Sequence, residues 1–283
     1  MPNIAYPPRR PLSVGEVLDL TFQIYRGTAL RCLLFGAFGV ILGQLASIYA
    51  LIRGRGLGGG GWQAFVQALS TANKDPLYWV AYVLGIVLPL IFDAAIILRQ
   101  QALITGHPVG GELGAAVRRL ARVVGVSVLV GVSTAACFLP ALLLSGPARY
   151  GLVVLLLFPA SYVLVRLSCA FVSLVLTDAG PVASCLRSWR LTSGSFWRLS
   201  IIYFVGLVVL IVFFMVIFIV AGILAAVLGR GDVALVVATT GAIVVAISAL
   251  TLPYYTAMGL AVLGELSARK EGADLEQRIA ASA

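Results

Sequence analysis

The run LSIIYFVGLVVLIVFFMVIFIVAGILAAVL at 199–228 decides the fold: thirty residues pass without an Asp, Glu, Lys, Arg or His. As one helix it would measure about 45 Å at 1.5 Å per residue. A hydrocarbon core is about 30 Å thick and takes roughly 20 residues. The run must therefore tilt, break near Gly222 or extend beyond a bilayer. Five further apolar runs lie at 29–51, 77–98, 123–144, 151–177 and 233–263. The whole chain of 283 residues is 61% hydrophobic and 11% charged, with mean hydropathy +1.05. A soluble domain carries about 25% charged residues. The expected fold is an all-α integral membrane protein: one domain over 1–283, a bundle of about six transmembrane helices with amphipathic interfacial helices on the cytoplasmic side. The first 28 residues are polar and amphipathic and precede a run long enough to span, so no cleavable signal peptide is expected.

Basic residues give the orientation. Taken by alternate sides, one side carries Arg9, Arg10, Arg26, Arg31, Arg99, Arg118, Arg119, Arg122, Arg187, Arg190, Arg198, Arg269, Lys270 and Arg278. The other carries Arg53, Arg55, Lys74, Arg149 and Arg230. Cytoplasmic loops hold the excess of Lys and Arg, so both termini are expected in the cytosol of a cell inner (plasma) membrane. The net charge of +9 reads as contact with anionic headgroups, at about 1 kcal/mol per basic residue near the surface. Arg118, Arg119, Arg122 and Arg198 are the expected headgroup contacts. No nucleic-acid partner is expected, because the arginines mark span ends and do not collect in one domain.

Before the first, third and fifth runs the chain repeats one plan: a proline, an amphipathic helix, a basic cluster, then a span. After Pro11, Ser13 and Glu16 form a capping-box pair that opens an interfacial helix over 13–27, with Val14, Val17, Leu18, Phe22 and Tyr25 on one face. After Pro108, Leu113, Val117, Leu120 and Val124 oppose the three arginines. After Pro181, Val182, Leu186 and Trp189 oppose Arg187 and Arg190. Such helices lie in the headgroup plane or across the mouth of a bundle. The segment RGRGLGGGGW at 53–62 contains a GxGxxG spacing at Gly54, Gly56 and Gly59, but no strand precedes it, so it reads as a flexible linker. Trp62, Phe65, Val66 and Leu69 follow at helical spacing.

Two ionisable side chains fall inside the apolar runs, where charge is costly. Asp93 sits about six residues, roughly 9 Å, from the inner end of its span. Arg166 sits about a dozen residues, roughly 18 Å, from the inner end of its own. They form a candidate intramembrane polar site, either as a buried pair or as part of a transport path. The alternative is that each is satisfied locally, Arg166 by snorkelling or by backbone carbonyls. Pro89, Pro140, Pro159 and Pro253 should kink their spans or free carbonyls. His107 stands alone, the four cysteines show no ligand spacing, and no Walker sequence is present. No cofactor, metal or catalytic residue is expected, and the chain reads as no enzyme.

Three stretches carry a resemblance: LSVGEVLDLTFQIYRG at 12–27, TDAGPVASCLRSWRLTSGSFWRLSII at 177–202 and ARKEGADLEQRI at 268–279. They resemble the membrane domain found fused to, or apart from, bacterial glycerophosphoryl diester phosphodiesterases. The matching positions are Asp178, Gly180-Pro181, Arg187-Ser188-Trp189, then Arg269, Glu271, Gly272, Asp274 and Leu275, with Arg166 in VRLS. Glu265 stands for an aspartate and Ser267 for an arginine of that pattern. The resemblance implies a membrane domain without the catalytic barrel. By the orientation above these elements all lie on the cytoplasmic side, where a clamp of the tail at 264–283 on the helix after Pro181 is expected, through pairs such as Glu271 or Asp274 with Arg187 or Arg190, with Asp178 and Trp189 beside them. The expected function is a non-enzymatic polytopic membrane protein, an accessory or scaffold in bacterial envelope or lipid physiology with an unidentified membrane or enzyme partner. The alternative is a small transporter or permease component built around Asp93 and Arg166.

Overall fold

A computed structural model describes all residues except 1–5, 9, 54–73, 178, 230–232 and 283. The described residues contain helices and no strand. The helices are α1 (Val14–Gly43), α2 (Leu45–Arg53), α3 (Pro76–Thr105), α4 (Glu112–Arg118), α5 (Leu120–Ala136), α6 (Pro147–Leu167), α7 (Ala170–Leu176), α8 (Pro181–Leu191), α9 (Phe196–Gly229) and α10 (Val233–Ser282), with a 3-10 turn at Leu139–Leu143 between α5 and α6. Five helical stretches are long and apolar enough to cross a membrane: Val14–Gly43, Pro76–Thr105, Pro147–Leu176, Phe196–Leu224 and Gly241–Lys270. The described residues thus form an all-helical bundle in which several helices have the length and composition of membrane spans. The glycine-rich linker and the Trp62 helix fall outside the described residues.

The boundaries depart from the sequence reading in instructive ways. The interfacial helix expected at 13–27 is not separate. The Ser13–Glu16 capping box is present, but the helix it opens runs on to Gly43, where the chain turns at Gln44. Its face at Val17, Leu20, Thr21 and Ile24 is buried in the protein. An amphipathic pattern fits a headgroup plane and a protein groove equally, and here the groove wins. The third expected span, 123–144, ends as α-helix at Ala136. Pro140 has no N–H to give the Ala136 carbonyl, so the helix stops one turn short and continues as a 3-10 turn. The run at 199–228 does not break at Gly222; α9 is continuous over 34 residues. The expected tail at 264–283 continues α10, a helix of 50 residues, about 75 Å long.

α4 and α8 appear where expected, and their orientation is informative. Leu113 and Val117 of α4, and Val182, Leu186 and Trp189 of α8, are exposed. The sides of these helices that face the protein hold Glu112 and Ala116 in α4 and Ser184, Ser188 and Leu191 in α8, while Arg118 and Arg190 are exposed beside the apolar residues.

The centre of the bundle is α1 packed between α3 and α10. Gly36, Gly39 and Gly43 form a small-residue stripe on α1 that admits both neighbours. A Cβ placed on Gly36 would sit 2.2 Å from the Ala249 carbonyl oxygen, and one on Gly39 would meet Phe92 Cβ at 3.3 Å. Ala249 lies four residues before Pro253, so its carbonyl has lost its helical donor. The orphan carbonyl lies against bare α1 backbone, where Cα–H groups can cover it. α3 repeats the arrangement: Pro89 frees the Gly85 carbonyl, and Gly85 packs against Gly43 and Leu42 of α1.

Gly36→Ala should therefore destabilise the protein by about 1–3 kcal/mol through overpacking. Gly131→Ala, where nothing lies within 4 Å of the added methyl, should be neutral or stabilising by up to about 1 kcal/mol. Thermal unfolding in one detergent compares them, and equal melting of the two variants contradicts the packing described.

Candidate functional site

Three polar assemblies tie the helices together. The deepest is Gln100 on α3, fully buried. Its amide nitrogen donates to Thr28 Oγ1 on α1 at 3.2 Å and to the Pro253 carbonyl on α10 at 2.7 Å. Its carbonyl oxygen accepts from Thr256 Oγ1 on α10 at 2.9 Å. Thr28 in turn donates to Ile24 O at 2.8 Å. Both amide protons and the amide oxygen are used, so a buried group that would be costly alone becomes a three-helix knot.

The second assembly joins both chain ends to α9. Glu265 of α10 is fully buried, and its Oε1 accepts from Arg198 Nη1 at 2.7 Å and from Arg269 Nε at 2.8 Å. Both guanidinium groups also donate to the Leu12 carbonyl just before α1. Tyr6 donates to Leu260 O at 3.2 Å. Burial, with a smaller contribution from Cys169, pushes the Tyr6 phenol up to about 12, so it stays protonated and keeps donating. Glu265 Oε2 has no hydrogen-bond partner.

The third lies at the end of α3. Arg99 donates to Arg31 O at 3.0 Å and to Glu112 Oε2 at 3.4 Å, and its guanidinium carbon sits 4.1 Å from the Phe35 ring centroid. Burial raises the Glu112 pKa. Hydrogen bonds from its own N–H, Arg99 and Gly110 outweigh that and hold it below its ordinary value of 4.5.

The structure separates the expected site residues. No hydrogen bond or ion pair links Asp93 to Arg166 among the described residues. Asp93 Oδ1 is buried without a partner. Arg166 is 6% exposed, with its guanidinium carbon 4.3 Å from the Trp189 centroid and 5.9 Å from that of Tyr162. Its backbone carbonyl accepts from Ser188 Oγ at 2.8 Å and Thr192 Oγ1 at 3.1 Å. Tyr162 packs on Phe196, the first residue of α9, at 5.0 Å between centroids. Arg166 thus lies one turn along α6 from a contact with the start of α9, within the apolar stretch Pro147–Leu176. Of the expected headgroup contacts, Arg118 and Arg122 are exposed. Arg119 instead caps the end of α7 through the Val175 carbonyl, and Arg198 is bound to Glu265, because a buried carboxylate and an open carbonyl outcompete solvent for a guanidinium.

α10 does contact α8, but Lys270 makes the bonds. Its ammonium donates to the Arg190 and Ser193 carbonyls at 2.9 and 2.8 Å, at the negative end of α8. The expected clamp carboxylates fall outside what is described: Asp178 entirely, Glu271 and Asp274 as side chains. Arg187 has a partner, and Trp189 holds Arg166. Gln100 falls two residues past the expected span at 77–98, where nothing local marks a polar side chain as buried. The sequence shows Glu265 solely as a substitute in a motif. A lone carboxylate in AMGLAVLGEL at 257–266 was the available signal. All four cysteines are free, and no group of three metal-binding side chains occurs among the described residues. Comparison of the chain with family models, curated proteins and solved structures found no match.

Glu265→Ala should cost about 3–5 kcal/mol, since it strands two arginines. Arg269→Ala, at a half-exposed partner, should cost about 1 kcal/mol or less. Denaturant unfolding measures both, and a Glu265 variant within 0.5 kcal/mol of the parent refutes the lock. The acid limb of stability should also depend on Glu112. Its folded pKa is depressed, so its contribution is present above the ordinary glutamate value and is lost as pH falls through the folded one. The stability gap between the parent and Glu112→Gln should be full at neutral pH and close on acidification. A gap that stays constant across the titration contradicts this.

Proposed function

We propose that this chain is a non-enzymatic membrane scaffold: a polytopic protein that holds a fixed helical platform in a bacterial inner membrane and acts as an accessory in envelope or lipid physiology. The observation that carries the reading is the Gln100 knot. Its amide joins α1, α3 and α10 with both N–H groups donating and its oxygen accepting from Thr256, which ties the register of the three helices and uses both of its donors internally. The likeness of 177–202 and 268–279 to the membrane domain of glycerophosphoryl diester phosphodiesterases supplies the lipid context. In this reading α5 and the 3-10 turn after it complete a sixth crossing, and both termini are cytoplasmic. What supports that is the gathering of Leu12, Arg190, Arg198, Glu265 and Lys270 at one end of the bundle.

The transporter reading retains one specific observation. Asp93 Oδ1 is buried without a partner, four residues past the Pro89 kink, where a polar group can serve a permeation path. The two readings differ in motion. Bio-orthogonal spin labels at Leu84 and Ile223, both exposed, leave the native cysteines untouched. In proteoliposomes the scaffold should give a single distance population, unchanged by an imposed pH gradient. Two populations whose ratio follows the gradient, and collapse to one in Asp93→Asn, transfer the assignment to the transporter.

A further inference from the structure

Arg166 is a cation without an acidic partner. Its only polar-group contacts among the described residues run through its backbone carbonyl, to Ser188 and Thr192. The side chain, 6% exposed, is held by aromatic faces, with Trp189 at 4.3 Å and Tyr162 at 5.9 Å from the guanidinium carbon. Nε is buried with no hydrogen-bond partner. Burying a guanidinium without a counter-charge is costly, and aromatic stacking alone offsets only part of that cost. Stacking also leaves particular atoms available. A guanidinium lying over a ring keeps its N–H groups in its own plane, directed past the ring edge, in the fork that matches two oxygens of one anion.

The surroundings specify where that anion comes from. The site is at the first turn of α9, through Tyr162 and Phe196, at the arginine-rich end of the bundle. Tyr162, Trp189 and the neighbouring Trp197 are exposed, and the apolar face of α8 is turned outward beside them. Aromatic residues of this kind mark the headgroup level of a bilayer. One helical turn before Ser188, on the same buried face of α8, Ser184 Oγ is a second buried group without a partner.

We infer that the corner between α6 and α8 is a binding site for a phosphate-bearing anion, with Arg166 as the fork that grips it and Trp189 as the face that fixes the fork. The depth and the lipid-facing border select the phosphate of an anionic phospholipid, and inorganic phosphate shares the recognising chemistry. The inference rests on the membrane assignment and does not depend on whether the helices move, so the spin-label experiment and this one fail separately.

The test uses the full chain, delipidated in a neutral detergent. Short-chain phosphatidylglycerol, short-chain phosphatidylcholine and inorganic phosphate are added in parallel, with thermal unfolding and native mass spectrometry as readouts. Phosphatidylglycerol should raise the melting temperature and remain bound through the gas phase, with at least a tenfold preference over phosphatidylcholine. Arg166→Gln should abolish the preference. Arg166→Lys, which keeps the charge and loses the fork, should retain binding weakened about tenfold, and it serves if the glutamine variant does not fold. A response to phosphatidylglycerol alone identifies a lipid site, and an equal response to inorganic phosphate identifies a free-anion site. Unchanged preference in both Arg166 variants, or no preference in the parent, overturns the inference.

Discussion

Pro253 takes the Ala249 carbonyl's helical donor away, and the centre of the molecule is arranged around that loss. An unsatisfied backbone group inside a membrane costs several kcal/mol, so α10 can carry a proline at this depth only if a neighbour covers the exposed carbonyl. α1 does so by presenting Gly36, whose missing side chain lets backbone lie on backbone. One turn further along α10, Gln100 reaches from α3 to the Pro253 carbonyl itself and to Thr256. The kink, the glycine and the amide form one device. Each helix supplies what another lacks, which fixes the register of all three.

The same rule operates at several other helix ends. Breaks free carbonyls, and donors from other elements bond to them. Arg119 bonds Val175 O at the end of α7, Lys270 bonds Arg190 O and Ser193 O at the end of α8, and Ser188 and Thr192 bond Arg166 O where α6 gives way to α7. Arg198 and Arg269 bond Leu12 O before α1 begins. These bonds connect segments far apart in sequence. They also explain why so many arginines near the span ends are not free to meet headgroups. The positive charge near these helix ends serves as a set of donors to open carbonyls.

The sequence made the long apolar helices, the capping box at Ser13, and the helices after Pro108 and Pro181 readable, because each depends on local composition and spacing alone. It did not separate a helix lying on lipid from one lying on protein. Val17, Leu20 and Ile24 are buried in the core, whereas Val182 and Leu186 face outward, yet both sets show one periodicity. Gln100 escaped notice because an amide between apolar turns barely alters hydropathy. Its importance comes from Thr28 and Thr256, which are 72 and 156 residues away in the chain. Arg166 was legible as a charge within an apolar run, but its aromatic partners were not. The break after Leu167 and the return of α8 alongside it are tertiary features that no window of sequence contains.

α9 gives the contrast that clarifies the rest. It has the highest mean hydropathy of the five long stretches, 3.5, and none of its most apolar window is buried in the protein. Its contacts with the bundle come early, at Phe196, Arg198 and Gly206, where Met258 and Tyr254 of α10 lie close. From Leu207 to Val220 its side chains are all apolar and exposed or half-buried. A helix with no polar group to satisfy needs no partner within the bundle, so it can serve as boundary to the lipid. Helices that carry prolines, amides or carboxylates must be enclosed. The division between wall and core therefore follows which segments contain a group that lipid cannot satisfy. Arg166 lies on that division, with its backbone carbonyl bonded inward and its guanidinium held between aromatic rings that border the lipid.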